Sequence, residues 1–344
     1  MLKIVVYSSN NPEDACGYLR IQAPFEANGD SLSGIWGARR ERKFFFRMTV
    51  LDETLIDTAD IILVQRSLPR KSTRAVLEKI LNSGKPVVFE IDDLLIDPPA
   101  DHPYRRKMVN KKPFIIDVMR RASAVTVTTV PLKEALRKYN DNIHVLPNLL
   151  DERLWNKPPR MRTSDRVVIA FGGTKSHLND LKILEEPLFY IADKYRGRVS
   201  FRLGGVSTGK LATLPGLHFV RFTSSYSDYA RELQDSDIDI ALVPLQDNLF
   251  NRCKSNIKWL EYSACGIAGI YSSLSPYSDC IEQGKTGILA GMKGDEWIAA
   301  LELLIDDPEK RRIIAREARE KVLSSYTLAG GAALYRNFYQ NLVL

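Results

Sequence analysis

Short apolar runs rich in Val, Ile and Phe alternate along this chain with longer stretches whose apolar residues recur every three to four positions. That is the pattern of parallel strands joined by crossover helices. In the first half the strand-like runs are LKIVVYS, ADIILVQ, PVVFEI, AVTVTT and IHVLPN. Helical stretches fall near Tyr18 to Asn28, over Ser72 to Leu81, near Phe114 to Arg121 and over Pro131 to Tyr139. Residues 151–165, charged and proline-rich, hold neither period and read as a linker. The pattern then restarts with RVVIAFGG, VSFRLGG, LHFVRF, IDIALVP, AGIYSS and TGILAG between further helical stretches. The reading is an α/β protein of two doubly wound, Rossmann-like domains, 1–150 and 166–326. A tail over 327–344, with Leu334, Phe338 and Leu342 at spacing four, reads as a last amphipathic helix that packs back on the first domain.

A length of 344 residues, 44% hydrophobic and 26% charged, suits two globular domains and excludes a disordered or disulfide-stapled chain. No apolar run approaches the roughly 18 to 20 residues of a spanning helix, and MLKIVVYSSNN lacks the pattern of a signal peptide. A cytoplasmic address is expected. Cys16, Cys253, Cys265 and Cys280 show no metal-ligand rhythm and only four histidines accompany them, so no metal site is expected. Residues 1–150 carry 23 Lys and Arg against 18 Asp and Glu, the remainder 26 against 24. That excess suits phosphorylated ligands or an anionic membrane surface and does not indicate nucleic acid.

Open α/β sheets bind ligands beyond the carboxyl ends of their strands, so the residues following each strand are the candidates. After the first comes CGYLR, where Gly17 starts a helix whose amino terminus suits phosphate, or is simply a turn glycine. The run PVVFEIDDLL ends in Glu90, Asp92 and Asp93, where Asp92 suits a substrate hydroxyl or positive charge on a sugar ring and Asp93 a helix cap. The second domain opens with FGGTKSH. Gly172 and Gly173 form a phosphate cradle between strand and helix, with Lys175 and His177 as added donors, although neither GxGxxG nor a Walker sequence is present. The densest set follows IDIALVP: Asn251, Lys254 and Ser255 lead into a helix bearing Lys258 and Glu261. Lys254 and Lys258, four apart, share a face if both are helical, and two like charges there call for an anion. Glu261, one turn on, is placed to accept two ribose hydroxyls. The alternative is a solvated charged face.

This loop and helix, followed by ACGIAGI, resembles the carboxyl-domain signature of the retaining, nucleotide-sugar-dependent glycosyltransferases of the glycosyl-transferase-group-1 family (family four), which have the two-domain GT-B fold. Gly17, VLPNLLD with Asn148 and Asp151, FGG, and IEQGKTGIL with Glu282, Gly284, Thr286 and Gly287 lie in the family's order over nearly the whole chain. The resemblance implies that Glu261 binds ribose and that residues 251–258 handle the diphosphate and sugar. It also implies that Lys254, Lys258 and the glycine-loop amides neutralise the departing diphosphate without metal. Two positions depart from the pattern. Asp92 stands where the family often has histidine, and Cys253, separated from Glu261 by seven residues, stands where the family has a second glutamate. The implied activity is sugar transfer from a nucleoside-diphosphate sugar to a glycan or lipid-linked acceptor, as in cell-surface polysaccharide synthesis. Arg39, Arg40, Arg42 and Lys43 beside Phe44, Phe45 and Phe46, with Arg105, Arg106, Lys107, Lys111 and Lys112, suit a lipid phosphate or peripheral membrane contact. A non-catalytic nucleotide-sugar-binding protein, or a phosphorylase or epimerase on the same architecture, are the alternatives.

Overall fold

The computed structural model describes residues 1–43, 46–159 and 166–343. Phe44 and Phe45 of the basic aromatic patch and residues 160–165 of the expected linker lie outside them. The first half holds β1 (Leu2–Tyr7), β2 (Leu32–Trp36), β3 (Ala38–Lys43), β4 (Phe46–Leu51), β5 (Ile61–Gln65), β6 (Val87–Glu90), β7 (Ala124–Val127) and β8 (Ile143–Val145). Six of these form one sheet in the order β2-β1-β5-β6-β7-β8, every pair parallel, while β3 and β4 make a separate antiparallel hairpin. The second half holds β9 (Val167–Gly172), β10 (Val199–Gly204), β11 (Leu217–Val220), β12 (Ile240–Val243), β13 (Ala268–Ser272) and β14 (Ile288–Ala290). They pair in parallel in the order β11-β10-β9-β12-β13-β14. The two parallel, Rossmann-like sheets expected from the strand pattern are therefore present. The apolar runs β5, β6, β7 and β12 are buried at every residue, because helices cover both faces of a parallel sheet.

Four features differ from the sequence reading. The sequence reading includes neither β2 nor the hairpin: β2 buries only Leu32 fully, and ARRERK has no apolar alternation, although FRMTVL of β4 does alternate. The helix expected from Phe114 begins at Arg105 and runs to Arg121, its polar first half and internal Pro113 having hidden it. The last helix, Leu328–Asn341, packs on the first domain, but through Leu328, Ala332, Tyr335, Phe338 and Tyr339, whereas Leu334 is 45% exposed.

The halves meet through packed side chains as well as backbone. Phe250 and Cys253 of the second half sit in the first domain's core, and Leu19 of the first half joins Trp155 and Tyr226 in the second's. Tyr226 N donates to the Glu13 carbonyl at 2.9 Å, and Leu328 N to the Leu150 carbonyl at 2.9 Å. Residues 151–155 fold into this seam, with Trp155 buried and Asp151 accepting from Tyr18 Oη at 2.7 Å.

Candidate active site

The strand order reverses between β1 and β5 in one sheet and between β9 and β12 in the other, the positions where open sheets bind ligands. A cleft of about 600 Å³ lies between the halves, lined by residues that follow β1, β6, β9, β10, β11 and β12. Asn10, Cys16, Asp92 and Asp93 line it from the first half, and Gly172, Gly173, His177, Lys254, Ser255, Lys258 and Glu261 from the second.

The centre of the second wall is a closed triangle. Lys258 Nζ donates to Glu261 Oε2 at 2.8 Å and to Tyr229 Oη at 2.9 Å, and Tyr229 Oη donates to the same carboxylate oxygen at 3.0 Å. The ammonium also stands 4.7 Å from the Tyr229 ring centroid. Glu261 is only 2% exposed. Burial pushes the Lys258 pKa down, and Glu261 more than offsets it, leaving the ammonium above its ordinary value. Lys254 is not on the helix with Lys258, as the four-residue spacing had suggested. A short helix ends at Arg252, and the next begins at Ile257. Lys254 lies in the loop between them, 3.9 Å from Asp93 Oδ1 and 4.9 Å from the Phe250 ring centroid. No side chain caps the helix that begins at Ile257, so its first amide groups are left to the cleft that Ser255 and Ile257 line.

On the first-domain side Asp92 and Asp93 share Arg66, which ion-pairs with Asp92 and lies 3.3 Å from Asp93 Oδ2. Burial pushes the Asp93 carboxyl up, but Lys254 and Arg66 outweigh it and hold it below its ordinary value. Arg66 has φ +51°, a left-handed conformation costly for a non-glycine residue. Strand-end position was its one signal in the sequence. Below it, Glu90 is structural: Arg20 Nε donates to Glu90 Oε1 at 2.7 Å, and Arg20 Nη1 reaches the Leu146 carbonyl, Asn148 Oδ1 and Tyr335 Oη. A π-helical turn over Tyr18–Gln22 carries Arg20 into this position.

Several expected site residues have other work. A side chain at Gly17 would put Cβ 2.0 Å from the Asn11 carbonyl oxygen, so this glycine serves the folding of its own loop, and its neighbours Ala15 and Cys16 line the cleft. Gly173 N donates to the Gly204 carbonyl at 3.1 Å and is spent as a phosphate donor. Gly205, at φ +79°, would place a Cβ 2.4 Å from the Gly173 carbonyl oxygen, so the paired glycines are needed where the ends of β9 and β10 meet. Lys175 is exposed and outside the cleft lining. Asn251 is buried behind the wall, its amide donating to Asp180 Oδ1 at 2.8 Å and to the Gln246 carbonyl at 2.9 Å. His177 lines the cleft with Nδ1 3.0 Å from Asp180 Oδ2; burial and then Lys254 lower its pKa. Ser255 accepts from Asn148 Nδ2 across the halves at 2.9 Å. Cys253 does not line the cleft. It is fully buried against the first domain, with its carbonyl accepting from Thr129 Oγ1 at 3.0 Å, and burial pushes its thiol up to about 12.

Sequence reasoning missed Arg66, Arg20, Tyr229 and the far wall of Arg202, Arg221 and Phe222, of which Phe222 is 65% exposed. Tyr229 lies one turn into a helix remote in sequence, and nothing local marks it. Among the described residues no cluster of three metal-ligating side chains exists, and no helix is long and apolar enough to cross a membrane.

Residues 191–335 match a family model described as glycosyl transferase-like. No curated protein sequence matches the chain. Among solved structures, a sucrose-phosphate synthase from Thermosynechococcus elongatus superposes with TM-score 0.71 at 14% identity over 99% of both chains. Anabaena HepE in complex with UDP and glucose gives 0.64 at 14% identity over 99% of this chain and 100% of that one. A glycosyltransferase from Rickettsia africae gives 0.65 at 11% identity over 99% and 98%. The fold is thus that of the GT-B glycosyltransferases.

Proposed function

We propose that this chain is a retaining glycosyltransferase that moves a sugar from a nucleoside-diphosphate sugar to a glycan or lipid-linked acceptor, as in cell-surface polysaccharide synthesis. The carrying observation is the Lys258–Glu261–Tyr229 triangle beside Lys254 in a cleft between two facing sheets. Ribose hydroxyls donate to the Glu261 carboxylate. The diphosphate lies at the amino terminus of the helix Ile257–Ala264, where uncapped amides and Lys254 favour anions.

Chemistry follows from that placement. The anomeric carbon–oxygen bond breaks, its electron pair moves onto the departing diphosphate, and Lys254 and the helix amides stabilise the growing charge. The acceptor oxygen forms the new bond on the same face and gives its proton to the leaving phosphate oxygen. Asp92, ion-paired with Arg66, stabilises the positive charge developing on the sugar ring. Closure of the halves excludes water, which would otherwise compete as acceptor. The reaction draws on no metal, and contact with an anionic membrane would bring a lipid-linked acceptor to a cytoplasmic enzyme. HepE has been solved with UDP-glucose, which supports the donor class.

The test is a thermal-shift screen against UDP, GDP, dTDP, ADP, CMP and their sugar conjugates, followed by an assay of nucleoside diphosphate released from whichever sugar nucleotide binds. Stabilisation with release supports transfer. Stabilisation without release from any acceptor preparation would favour a non-catalytic sugar-nucleotide-binding protein, a reading that the burial of Cys253 away from the cleft also supports. No stabilisation would overturn both.

A further inference from the structure

The cleft continues past Glu261 along a second helix, Tyr226–Gln234. Tyr229 of that helix donates to Glu261 Oε2 at 3.0 Å, and Glu232 stands three residues on, one turn further along the same face, where it too lines the cleft. Arg221, Phe222 and Thr223, which leave the end of β11, line the same stretch. Thr223 Oγ1 donates to Glu232 Oε2 at 2.7 Å, which fixes the carboxylate beside that loop. A Cβ at Gly205, just past the end of β10, would come 3.6 Å from Phe222 Cδ2, so the ring leans on the glycine turn while Phe222 stays 65% exposed.

The charged groups of this wall are largely uncommitted. The Thr223 bond occupies one carboxylate oxygen, and among the described residues no cation pairs with Glu232, although two arginines line the cleft with it. Arg202 is answered by Asp237 at 3.5 Å, whereas the Arg221 side chain has no hydrogen bond or ion pair among the described residues. A flat apolar face beside an acceptor-only carboxylate and a donor-only guanidinium suits a planar, conjugated ligand with donors on one edge and acceptors on another. The order of groups along the cleft identifies its kind. With the diphosphate at Ile257 and the ribose at Glu261, the base of the same nucleotide falls at the next turn, beside Glu232. Among the bases only guanine presents two adjacent donors, N1–H and the N2 amine, to the two oxygens of a carboxylate, and it offers O6 and N7 to an arginine. Uracil and thymine flank their single N–H with carbonyl oxygens that a carboxylate repels, and adenine and cytosine set their one amine beside a bare ring nitrogen.

We propose that the donor nucleotide is a guanosine diphosphate, selected by the Glu232 carboxylate on the N1–H and N2 amine of the base, with Arg221 on O6 and N7 and Phe222 against the ring. The proposal rests on the donor reading above for the place of ribose and diphosphate, and goes beyond it by naming the base. Glu232 decides specificity and takes no part in bond breaking.

The experiment is calorimetry of the full chain and two variants with GDP, IDP, ADP, UDP, CDP and dTDP. IDP is GDP without the N2 amine, so it isolates one of the two donors. GDP should bind at least about tenfold more tightly than IDP, the worth of one hydrogen bond to a charged group, and more tightly still than the other four. Glu232 is exposed, so Glu232→Gln keeps the fold. Its amide sets an N–H against one donor of the base, and should weaken GDP at least about tenfold while UDP changes by about threefold or less, its repulsion having been relieved. Phe222→Ala should weaken every nucleotide alike, by roughly fivefold or more, because stacking is indifferent to the base. A tightest ligand other than GDP, equal affinity for GDP and IDP, or equal losses on GDP and UDP in Glu232→Gln would overturn the proposal, and the donor reading would stand because a diphosphate still binds. No binding of any of the six would overturn both.

Discussion

If Glu261 accepts the ribose hydroxyls, Glu261→Gln should weaken nucleoside diphosphate binding, and the weakening should depend on the hydroxyls themselves. Glutamine keeps the volume of the side chain and one carbonyl oxygen, but loses the second acceptor and the charge. A hydrogen bond to a charged group contributes about 1.5–3 kcal/mol and a neutral one about 0.5–1.5 kcal/mol. Losing one bond and weakening another would then cost about 2–4 kcal/mol. The structure argues for the low end, since Lys258 and Tyr229 already donate to Oε2 and spend part of the carboxylate's accepting power. About 2 kcal/mol corresponds to roughly a 30-fold rise in Kd. Calorimetry with the diphosphate that most raises the melting temperature, and with its 2′,3′-dideoxy analogue, supplies the control. The variant should lose roughly 30-fold with the first ligand and about twofold or less with the second. Equal losses on both ligands would mean that Glu261 acts by holding Lys258 in place, and the ribose assignment would fall.

Three further outcomes are expected. Arg20→Met leaves Glu90 buried without a countercharge and frees the hydrogen bond to Tyr335 of the last helix, so about 3–5 kcal/mol should be lost, a drop of roughly 6–20 °C in Tm; Arg20→Met with Glu90→Leu should recover most of it, and additive losses in that double variant would refute the pairing. Cys253→Glu, which restores the family's spacing to Glu261, should destabilise the protein by several kcal/mol rather than raise turnover, because a carboxylate would replace a fully buried thiol; a stable, more active variant would show that residue 253 can reach the donor sugar. Burial lowers the pKa of His102 and of His177, with Lys254 adding to both, so each holds its neutral form in the folded state and contributes stability that is present above the ordinary value of 6.5 and lost as the pH falls through the lowered one; melting temperature should therefore fall on acidification below neutrality, and a fall undiminished in the His102→Gln, His177→Gln double variant would assign it elsewhere.

What could be read from the sequence divides along a physical line. Strands covered on both faces announce themselves as unbroken apolar runs, so β5, β6, β7 and β12 stand out. An edge strand such as β2 buries too little to leave that trace, and the charged run ARRERK of β3 carries no apolar alternation. The site divides in the same way. Lys258 and Glu261 share a helix at spacing three, and local periodicity suffices to bring them together. Tyr229, which closes their triangle, sits 29 residues before Lys258, and Arg66 meets Asp93 across 27 residues; the order of strands in the sheets brings those pairs together, and no short motif records it. Asn251 and Gly173 carried the right residue types beside the right elements. Their polar groups nevertheless satisfy buried neighbours, an accounting that a sequence cannot display.

Cys253 shows how far a spacing argument reaches. Counting back across seven residues from Glu261 to Cys253 assumes one continuous helical face, but the backbone leaves the helix at Arg252 and re-enters it at Ile257. Across that break residue 253 turns toward the first domain, where it is buried with Phe250 among side chains of the first core, while Lys254 turns into the cleft. The short helix Leu249–Arg252 is therefore a docking element between the halves, and the loop that follows it delivers a cation to the cleft. Opening the cleft would have to expose Phe250 and Cys253 and break the Thr129–Cys253 and Asn148–Ser255 hydrogen bonds together. Lys254, which the proposed function sets against the diphosphate, is thus covalently next to a residue buried between the halves. Under the proposed mechanism that charge acts between joined halves, where water is excluded and leaving-group stabilisation is strongest.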